Sequence, residues 1–192
     1  MTGRFDPETH TYYVNEVAVP SVTEIAKPIS FERLDALQKM LLDRARARGS
    51  RCHELAEEYL LTGDVTEVEM EYQEYINQFI LWARTYRPKV LFTEKVMYGT
   101  EFCGTIDLIC QIDGKVIVVD YKFTSACDKK SLSVQLEGYR RLCELHGIHI
   151  DDFYQLHIKK DNYVFKPIKL DPEWFDLLLA HNKKMKEKYN GK

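Results

Sequence analysis

The sequence predicts a mixed α/β fold, because helical patterns dominate its first part and strand patterns alternate with helices in its second. Apolar residues recur at helical spacing in several segments before residue 88, whereas apolar runs rich in β-branched and aromatic residues follow from Lys89. The dipeptide Asp113-Gly114 separates two of these runs. Asp-Gly between two such runs is the strongest short signal of a hairpin turn, so at least two neighbouring strands are expected to be antiparallel.

Length and composition are those of one globular domain. The chain has 192 residues, of which 45% are hydrophobic and 30% are charged, which is enough for a substantial core. No apolar run is long enough to cross a bilayer, and the polar start MTGRFDPETH lacks the apolar segment of a signal peptide. We therefore expect a cytoplasmic protein that does not enter a membrane. Its single domain should comprise a hairpin and helices in 1–88, a sheet with a helix in 89–170, and a final helix in 171–192.

Cysteine and charge patterns exclude some classes of protein. The five cysteines are scattered and form no C-x-x-C, so a structural zinc site or an iron–sulfur cluster is not expected. The net charge of -3 argues against a nonspecific polycation. A basic stretch from Arg33 to Arg51 precedes a stretch, 52–83, that has no Lys or Arg. This contrast fits a basic groove beside an acidic, metal-attracting side, and it equally fits ordinary solvated helix faces.

The N-terminal part predicts a hairpin, a short helix and three longer helical segments. In THTYYVNEVAVPSV the turn is expected at Asn15-Glu16, and SVTE has the capping-box pattern of a helix that ends near Pro28. We expect Gly49 to break or bend the next helix. A second helix should then cover RCHELAEEYLL and end near Thr62. A third helix should cover EMEYQEYINQFILWARTY and end before Pro88. The helix before Gly49 has apolar residues at Phe31, Leu34, Leu37, Leu41 and Leu42.

The second half predicts a sheet and two helices. Three strand patterns, KVLFTEKVMYG, FCGTIDLICQI and KVIVVDYKF, precede a helix over 131–145. The strand patterns FYQLHIKK and YVFKPIKL then flank Asp161-Asn162, and an amphipathic helix begins near Asp171 with Pro172 in its first turn. The helix over 131–145 has one apolar face, formed by Leu132, Leu136, Tyr139 and Cys143.

The hairpin turn fixes which residues of its two strands face each other. With a two-residue loop at 113–114, Ile112 faces Lys115, and stepping outward without a bulge brings Asp107 opposite Asp120. Opposed residues point to the same face of the sheet, with Cβ atoms roughly 4.5–5.5 Å apart. The pattern therefore predicts two carboxylates in one small patch, unless a one-residue bulge moves one of them away.

Lys122 belongs to the same patch, because side chains alternate along a strand and it shares a face with Asp120. Thr105 is expected opposite it. Two like charges directly opposed are destabilising, so a cation between them is expected, and this cation is either Lys122 itself or a divalent metal. The plainer interpretation is a solvated Asp–Lys salt bridge at the end of a hairpin, with Asp107 as an incidental neighbour.

Two carboxylates and a lysine on neighbouring strand ends suit one chemistry in particular. Oxygen ligands are those that Mg²⁺ or Mn²⁺ prefers, and such a metal polarises a phosphodiester and lowers the pKa of a bound water. A lysine beside that water orients it or stabilises negative charge at phosphorus. Acyl transfer is disfavoured because the sequence has no G-x-S-x-G.

These residues resemble a known family. GTID followed by VIVVDYK resembles the D…(D/E)-x-K core of the PD-(D/E)XK nuclease superfamily, although Ile106 stands where the nominal proline would be. RGSRCHELAEE resembles the G-x-x-x-H element of the RecB-like exonuclease branch, and QLEGY matches its Q-x-x-x-Y helix. VPSVTEI is similar to the opening of phage- and prophage-encoded members. The resemblance implies a restriction-endonuclease-like core, with a central mixed sheet flanked by helices and an N-terminal helical portion.

The resemblance also implies roles for individual residues. Metal ligands would be His53, Asp107, Asp120 and the backbone carbonyl of Tyr121, with Glu57 or Glu94 as a further ligand. Lys122 would position the attacking water, and Gln135 and Tyr139 would support the site or touch DNA. From the charge pattern, Arg44, Arg48 and Arg51 are candidates for gripping the phosphate backbone. Taken one at a time, each has a plainer interpretation: His53 as a packed or surface histidine, Tyr139 as core, and Gln135 and Glu57 as solvated side chains.

Together these features predict a DNA nuclease that depends on Mg²⁺ or Mn²⁺, contains no iron–sulfur cluster, and acts as an exonuclease. DNA is the expected partner, and the resemblance allows a recombination or annealing protein as a second one. The alternatives are a nuclease-fold module that binds DNA or a partner without cutting, and a metal hydrolase that acts on small phosphates.

Overall fold

The computed structural model describes residues 2–27, 36–124 and 127–190, with the side chains of all of these except 36–42 and 187–190. The first elements are β1 (Gly3–Asp6), β2 (Thr11–Val14), β3 (Val17–Val19), α1 (Val22–Ala26), α2 (Ala36–Thr62) and α3 (Gln73–Tyr86). The later ones are β4 (Lys89–Tyr98), β5 (Cys103–Ile112), β6 (Lys115–Lys122), α4 (Lys129–Leu145), β7 (Asp152–Ile158), β8 (Tyr163–Pro167) and α5 (Pro172–Asn190).

The centre of the protein is a five-stranded mixed sheet, which confirms the predicted fold class. Its strand order is β4-β5-β6-β7-β8, and β6 pairs with β7 in parallel while the other neighbours are antiparallel. Parallel neighbours need a crossover connection, and α4 provides it between β6 and β7. The sheet is therefore mixed because one helix interrupts a series of hairpins.

Helices cover both faces of the sheet, so the central strands are buried on two sides. One core contains residues of α1, α4 and α5, and the other contains residues of α2 and α3. Along β6, Val118 belongs to the first core, whereas Ile117 and Val119 belong to the second. Burial on both faces explains why this strand is a continuous apolar run instead of an alternating one.

The register predicted from the Asp113-Gly114 turn is confirmed. Both turn residues have positive φ, 48° and 81°, as a type I′ turn requires. β5 and β6 are paired without a shift from Ile112 and Lys115 to Leu108 and Val119. The turn thus sets the alignment of the two central strands over their whole paired length.

The helix prediction at Gly49 is wrong, because α2 continues through it from Ala36 to Thr62. Glycine costs a helix only about 1 kcal/mol relative to alanine. The turns that follow it bury Cys52, Leu55 and Ala56 against the sheet, which outweighs that cost. The apolar positions predicted from Phe31 to Leu42 lie outside the residues or side chains that the structure describes.

The N-terminal hairpin is confirmed as β2 and β3, and the sequence analysis missed β1, which pairs with β2 to complete a three-stranded sheet. The capping box of α1 is also confirmed, since Glu24 N donates to Ser21 Oγ and Ser21 N donates to Glu24 Oε2. Cys103 N donates to the carbonyl of Pro20 at 3.0 Å, which joins this N-terminal unit to the start of β5. Among the described residues, no helix is both long and apolar enough to cross a membrane.

A buried carboxylate fastens α4 to α5. Glu137 is fully buried, and its Oε1 accepts hydrogen bonds from Arg140 Nη2 and Arg141 Nε, both at 2.7 Å. Arg141 Nη1 continues to Asp176 of α5 at 2.6 Å. Burial opposes ionisation of Glu137, but the hydrogen bonds from both arginines prevail and lower the pKa of its carboxyl group.

Replacing Glu137 by Gln should therefore lower the free energy of unfolding at pH 7 by about 2 kcal/mol, because two arginines lose a buried charged partner. The folded-state pKa lies below the unfolded value of about 4.3, so the stabilisation is present above that value and is lost as the pH falls through the folded pKa. Urea unfolding of wild type and variant at several pH values measures this difference, which should shrink in acid.

Glu144→Gln is the matched control, since Glu144 also pairs with Arg140 but is exposed. It should cost less than about 1 kcal/mol. Equal losses for the two variants, or a pH-independent loss for Glu137→Gln, would contradict the role given to the buried carboxylate.

Candidate active site

Three acids lie side by side at one level of the sheet, on β4, β5 and β6. Glu94 and Asp107 fall between the paired residues Thr93–Leu108 and Lys95–Ile106, and neither belongs to a pair of the ladder. On the other side of β5, the ladder with β6 stops one pair short of Asp107 and Asp120. The backbone pairing is thus interrupted on both sides of Asp107. The predicted pair Thr105–Lys122 also lies beyond the last pair of that ladder.

Side chains replace the missing ladder bonds around Asp107. Tyr121 N donates to Asp107 Oδ2 at 3.0 Å, and the Tyr121 hydroxyl donates to the Asp107 carbonyl at 3.1 Å. Glu94 has a positive φ of 42°, which departs from the extended backbone of its neighbours. These contacts hold the Asp107 carboxylate in place although its strand is locally unpaired.

His53, Glu94 and Asp107 form a candidate metal site. One ligand atom from each lies within 4.8 Å of the other two. His53 Nδ1 lies 3.0 Å from Glu94 Oε1 and 3.9 Å from Asp107 Oδ1. The other ring nitrogen, Nε2, lies 3.1 Å from the carbonyl of Tyr121. When Nε2 donates to that carbonyl, Nδ1 faces the two acids, which is the arrangement that orients an imidazole toward a metal.

The same contacts control the charge of His53. Burial alone would lower the pKa of its imidazole, but the charges of Asp107 and Glu94 outweigh burial and raise that pKa. When His53 is protonated, the proton on Nδ1 lies between the imidazole and Glu94 Oε1. A cation that binds Nδ1 has to displace this proton, so metal binding and proton release are coupled.

Asp120 and Lys122 form a buried ion pair beside the three-residue site. Lys122 Nζ lies 2.7 Å from Asp120 Oδ1, and the Asp120 side chain is fully buried. Burial, reinforced by the charge of Asp107 and opposed by Lys122, raises the pKa of Asp120 to about 6. Burial would lower the pKa of Lys122, but Asp120 and Asp107 reverse the effect and raise it, so the lysine is an ammonium ion at neutral pH.

The residues fit a divalent cation. Asp120 Oδ2 is buried and has no hydrogen-bond partner among the described residues. An unsatisfied buried polar atom costs about 1–3 kcal/mol, more when the group is charged, and a bound cation would remove that cost. Burial also raises the pKa of Asp107, opposed by the charges of His53 and Lys122 and assisted by that of Glu94. Several carboxylates and one imidazole are the ligands that Mg²⁺ or Mn²⁺ accepts.

Gln135 and Tyr139 lie together on α4, at the border of the same site. Gln135 Nε2 donates to the Tyr139 hydroxyl at 2.8 Å, and both side chains are buried. Burial raises the pKa of Tyr139 well above its usual value, and the charges of Asp107 and Asp120 raise it further. The tyrosine therefore keeps its proton and remains a hydrogen-bond donor.

A cleft of about 550 Å³ opens above these groups. Its lining includes predicted site residues, namely His53, Glu57, Glu94, Asp107, Lys122, Gln135 and Tyr139. It also includes an aromatic wall from β1, β2 and the turn between them, formed by Phe5, Pro7, His10 and Tyr12. Burial, assisted by the charge of Glu94, raises the pKa of Glu57. No local sequence pattern signals a role for the aromatic wall, because this hairpin reaches the site only through long-range packing.

The three arginines predicted to bind DNA are not among the residues that line the cleft. Arg48 Nε donates to the carbonyl of Phe123 at 3.2 Å, and its guanidinium lies over the ring of Tyr75. Arg51 pairs with Glu69 at 2.9 Å and with Glu54 at 3.1 Å. Arg44 is exposed. Two of the three cations are therefore engaged within the protein.

Comparison with known families adds the deciding observation. The family model of the PD-(D/E)XK nuclease superfamily matches residues 31–192, which is most of the chain. The chain belongs to this superfamily. Members of the superfamily use divalent metals, which agrees with the candidate site of His53, Glu94 and Asp107.

One solved structure has a similar fold, and a second is a weaker match. A phage related exonuclease from Haemophilus somnus 129PT has a TM-score of 0.50 at 13% identity, with 90% of this chain and 95% of that chain covered. An alkaline exonuclease from Laribacter hongkongensis has a TM-score of 0.44 at 11% identity, with 90% of this chain and 94% of that one covered. Among curated proteins, no relative matches the chain.

The buried ion pair makes the acid–base behaviour of this superfamily member testable. In metal-free protein, the Asp120 carboxyl group should titrate near pH 6, and Lys122→Met should raise its pKa because the opposing ammonium charge at 2.7 Å is removed. Carboxyl ¹³C NMR measures both values. The control is Lys115→Met at the exposed start of β6, where the lysine pairs with Asp152 and should leave Asp120 unchanged. An unchanged or lowered Asp120 pKa in Lys122→Met would refute the assignment.

Proposed function

We propose that this protein is a divalent-metal-dependent deoxyribonuclease, and more narrowly an exonuclease, that hydrolyses phosphodiester bonds. One observation carries the proposal: a cluster of His53, Glu94 and Asp107 shares a cleft with Lys122, whose ammonium group pairs with the buried Asp120. Membership of a nuclease superfamily supports it, since every position of the D…D-x-K core is filled. The exonuclease part draws on the phage related exonuclease of similar fold.

His53, Glu94, Asp107 and Asp120 would hold the cation, with Glu57 at the edge of the cleft as a further carboxylate. A bound Mg²⁺ or Mn²⁺ polarises the phosphodiester and lowers the pKa of a coordinated water. An imidazole among the ligands favours Mn²⁺ slightly over Mg²⁺. The Tyr121 carbonyl, proposed as another ligand, lies against His53 Nε2 and would also serve by orienting the imidazole.

The remaining groups would act on the phosphate and the water. Lys122 is held as an ammonium ion by Asp120, so it would orient the attacking water and stabilise negative charge at phosphorus instead of removing a proton. The Tyr139 hydroxyl accepts from Gln135 and keeps its own proton, so it can donate to a phosphate oxygen. These donors are fixed before substrate arrives, which avoids reorganisation during the reaction.

Asp107→Asn and Lys122→Met should each reduce cleavage of linear DNA in Mg²⁺ or Mn²⁺ by about a hundredfold or more, because a metal ligand or the charge beside the water is removed. Chelation of the metal should abolish cleavage by wild type. A gel assay with end-labelled DNA measures the rate, and circular dichroism checks the fold.

Lys115→Met and Asp152→Asn are the matched controls, because they break a lysine–aspartate pair at the far end of β6 and should cut at the wild-type rate. Wild-type activity in Asp107→Asn would falsify the assignment. Retention of DNA without shortening would favour a binding module, and hydrolysis of nucleotides but not oligonucleotides would favour a small-phosphate hydrolase.

The phosphate backbone also needs a basic surface, and α4 offers one. A second concavity is lined by four lysines, Lys129, Lys130, Lys166 and Lys169. Lys129 and Lys130 lie five to six residues before Gln135 on α4, which is about 8–9 Å along the helix axis. We propose that this lysine groove contacts DNA that leaves the cleft, with Lys130 Nζ lying 3.8 Å over the ring of Trp174. The exposed Arg44 on α2 is a separate candidate for a backbone contact.

Lys129→Gln/Lys130→Gln should weaken binding of an oligonucleotide and reduce the slope of log affinity against log salt concentration by about 0.7–0.9 for each phosphate that the variant no longer neutralises. Fluorescence anisotropy in EDTA measures the slope. Salt is varied between about 50 and 200 mM, a range over which the affinity of a protein with several phosphate contacts falls by about a thousandfold or more. Arg51→Gln is the comparison, since Arg51 is already paired with Glu69. A larger change in Arg51→Gln than in the lysine variant would assign the backbone contact to the Arg44–Arg51 segment instead.

A further inference from the structure

Three aromatic residues of the N-terminal hairpin line the cleft that also contains the candidate metal site. Phe5 lies on β1, Tyr12 on β2, and His10 at the end of the turn between them. The ring centroids of Phe5 are 5.1 Å from His10 and 4.7 Å from Tyr12, and those of His10 and Tyr12 are 6.0 Å apart. All three residues line the same cleft as Asp107. The cleft therefore combines an acidic wall with a cluster of three rings.

The aromatic cluster is anchored to the catalytic strand. Tyr12 is buried, and its hydroxyl forms a 2.8 Å hydrogen bond with Thr105 Oγ1 of β5. Thr105 precedes Asp107 by two residues, a separation of about 6.6 Å along a strand. Tyr12 also packs in a small core with Val14 and Cys103. The distance between the rings and the acids is thus fixed by a hydrogen bond and by packing.

The turn presents His10 in a specific conformation. His10 has a positive φ of 53°, in the left-handed region that few non-glycine residues adopt. Asp6 Oδ1 accepts hydrogen bonds from Glu8 N at 3.0 Å and Thr9 N at 3.3 Å, which orders the turn. The contact of His10 with Phe5 is edge-on, at 86°, and His10 is exposed. An edge-on pair of rings with one exposed member leaves ring surface for another planar group.

The size of the cleft suits one nucleotide. A volume of about 550 Å³ is that of a site for one small molecule or nucleotide. A double helix, whose major groove alone is about 12 Å wide, is far larger than such a site. Carboxylate and imidazole groups can hold a metal that binds a phosphate, and rings in the same cleft can stack on the planar base attached to it.

We propose that Phe5 and His10 stack on the unpaired base of the nucleotide whose phosphate enters the metal cluster, so that the cleft admits a single-stranded end. This inference rests on the proposed nuclease function and adds the form of its substrate. Stacking is tolerant of sequence, because every base has a π-face. A blunt duplex end has to fray before its last nucleotide enters the cleft.

The test uses a single-stranded oligonucleotide with 2-aminopurine at its terminal position, because the fluorescence of this base is quenched by stacking. Binding is followed in EDTA, so that cleavage plays no part. Wild type should quench the terminal probe. Phe5→Leu/His10→Asn should abolish most of the quenching and weaken binding by roughly tenfold to a hundredfold. Asn tolerates the positive φ of position 10, and Leu keeps the apolar contact with Tyr12, so the hairpin is retained.

Tyr13→Leu is the matched control. Tyr13 lies on β2 beside Tyr12 and stacks with Arg4 at 4.0 Å, but it is not among the residues that line the cleft. It should leave the quenching unchanged. A single-stranded competitor should also displace the probe about tenfold better than a blunt duplex of the same length.

Unchanged quenching and affinity in Phe5→Leu/His10→Asn, or equal competition by duplex and single strand, would overturn the stacking site. Because the measurement needs no metal, it is separate from catalysis. Quenching by a wild-type protein that cuts nothing would support the stacking site while refuting the nuclease function. Cleavage without quenching would support the function while refuting the stacking site.

Discussion

Mutual repulsion among three buried or half-buried acids is the constraint on which the rest of the structure depends. Glu94, Asp107 and Asp120 occupy the same level of three adjacent strands. Such a row persists only if positive charge balances it, and the ammonium group of Lys122 supplies such a charge next to Asp120. The imidazole of His53 lies against Glu94 and near Asp107, and these acids raise its pKa, so the whole set is electrostatically coupled. One carboxylate oxygen of Asp120 still has no partner among the described residues, which is the reason a metal ion suits the site.

The fold supplies these groups from both faces of one sheet. The long helix α2 packs with α3 on one face and contributes His53, while α4 packs on the other and contributes Gln135 and Tyr139. β6 passes between the two cores as a buried apolar strand and ends in Asp120 and Lys122. A core strand that ends in two charges is thus reasonable, because its apolar part positions the strand, and the buried Asp120 holds Lys122, which lines the cleft.

Local sequence patterns predicted most of the fold, because turns, helix caps and amphipathic faces are determined by residues close together in the sequence. The I′ turn at 113–114, the capping box at Ser21 and the apolar face of α4 all depend on short-range chemistry, and all are confirmed. The helix break predicted at Gly49 was wrong, because packing of the following helical turns outweighs the weak tendency of one glycine to disrupt a helix. The short β1 was missed because a strand of four residues with two charges has little pattern of its own.

The candidate site was predicted less completely, for reasons that lie in three dimensions. The D…D-x-K residues follow from hairpin register, whereas the closeness of Glu94 to His53 depends on a positive φ that no residue type signals. Arg51 pairs with Glu69, eighteen positions away across a loop. A count of charges along the sequence does not show this pairing, so Arg51 was predicted to be free to bind DNA. The aromatic wall depends on the Tyr12–Thr105 hydrogen bond, which joins residues ninety-three positions apart.

The turn at 113–114 has a consequence for the evolution of the protein, although it lies at the opposite end of the hairpin from the acids. Because side chains alternate along a strand, adding or deleting one residue between Leu108 and Val119 would exchange inward and outward side chains on one arm of the hairpin. An insertion or deletion within this hairpin would therefore misplace the acids at its open end. The 63–72 connection and the Asp161-Asn162 turn can change length without altering this alternation.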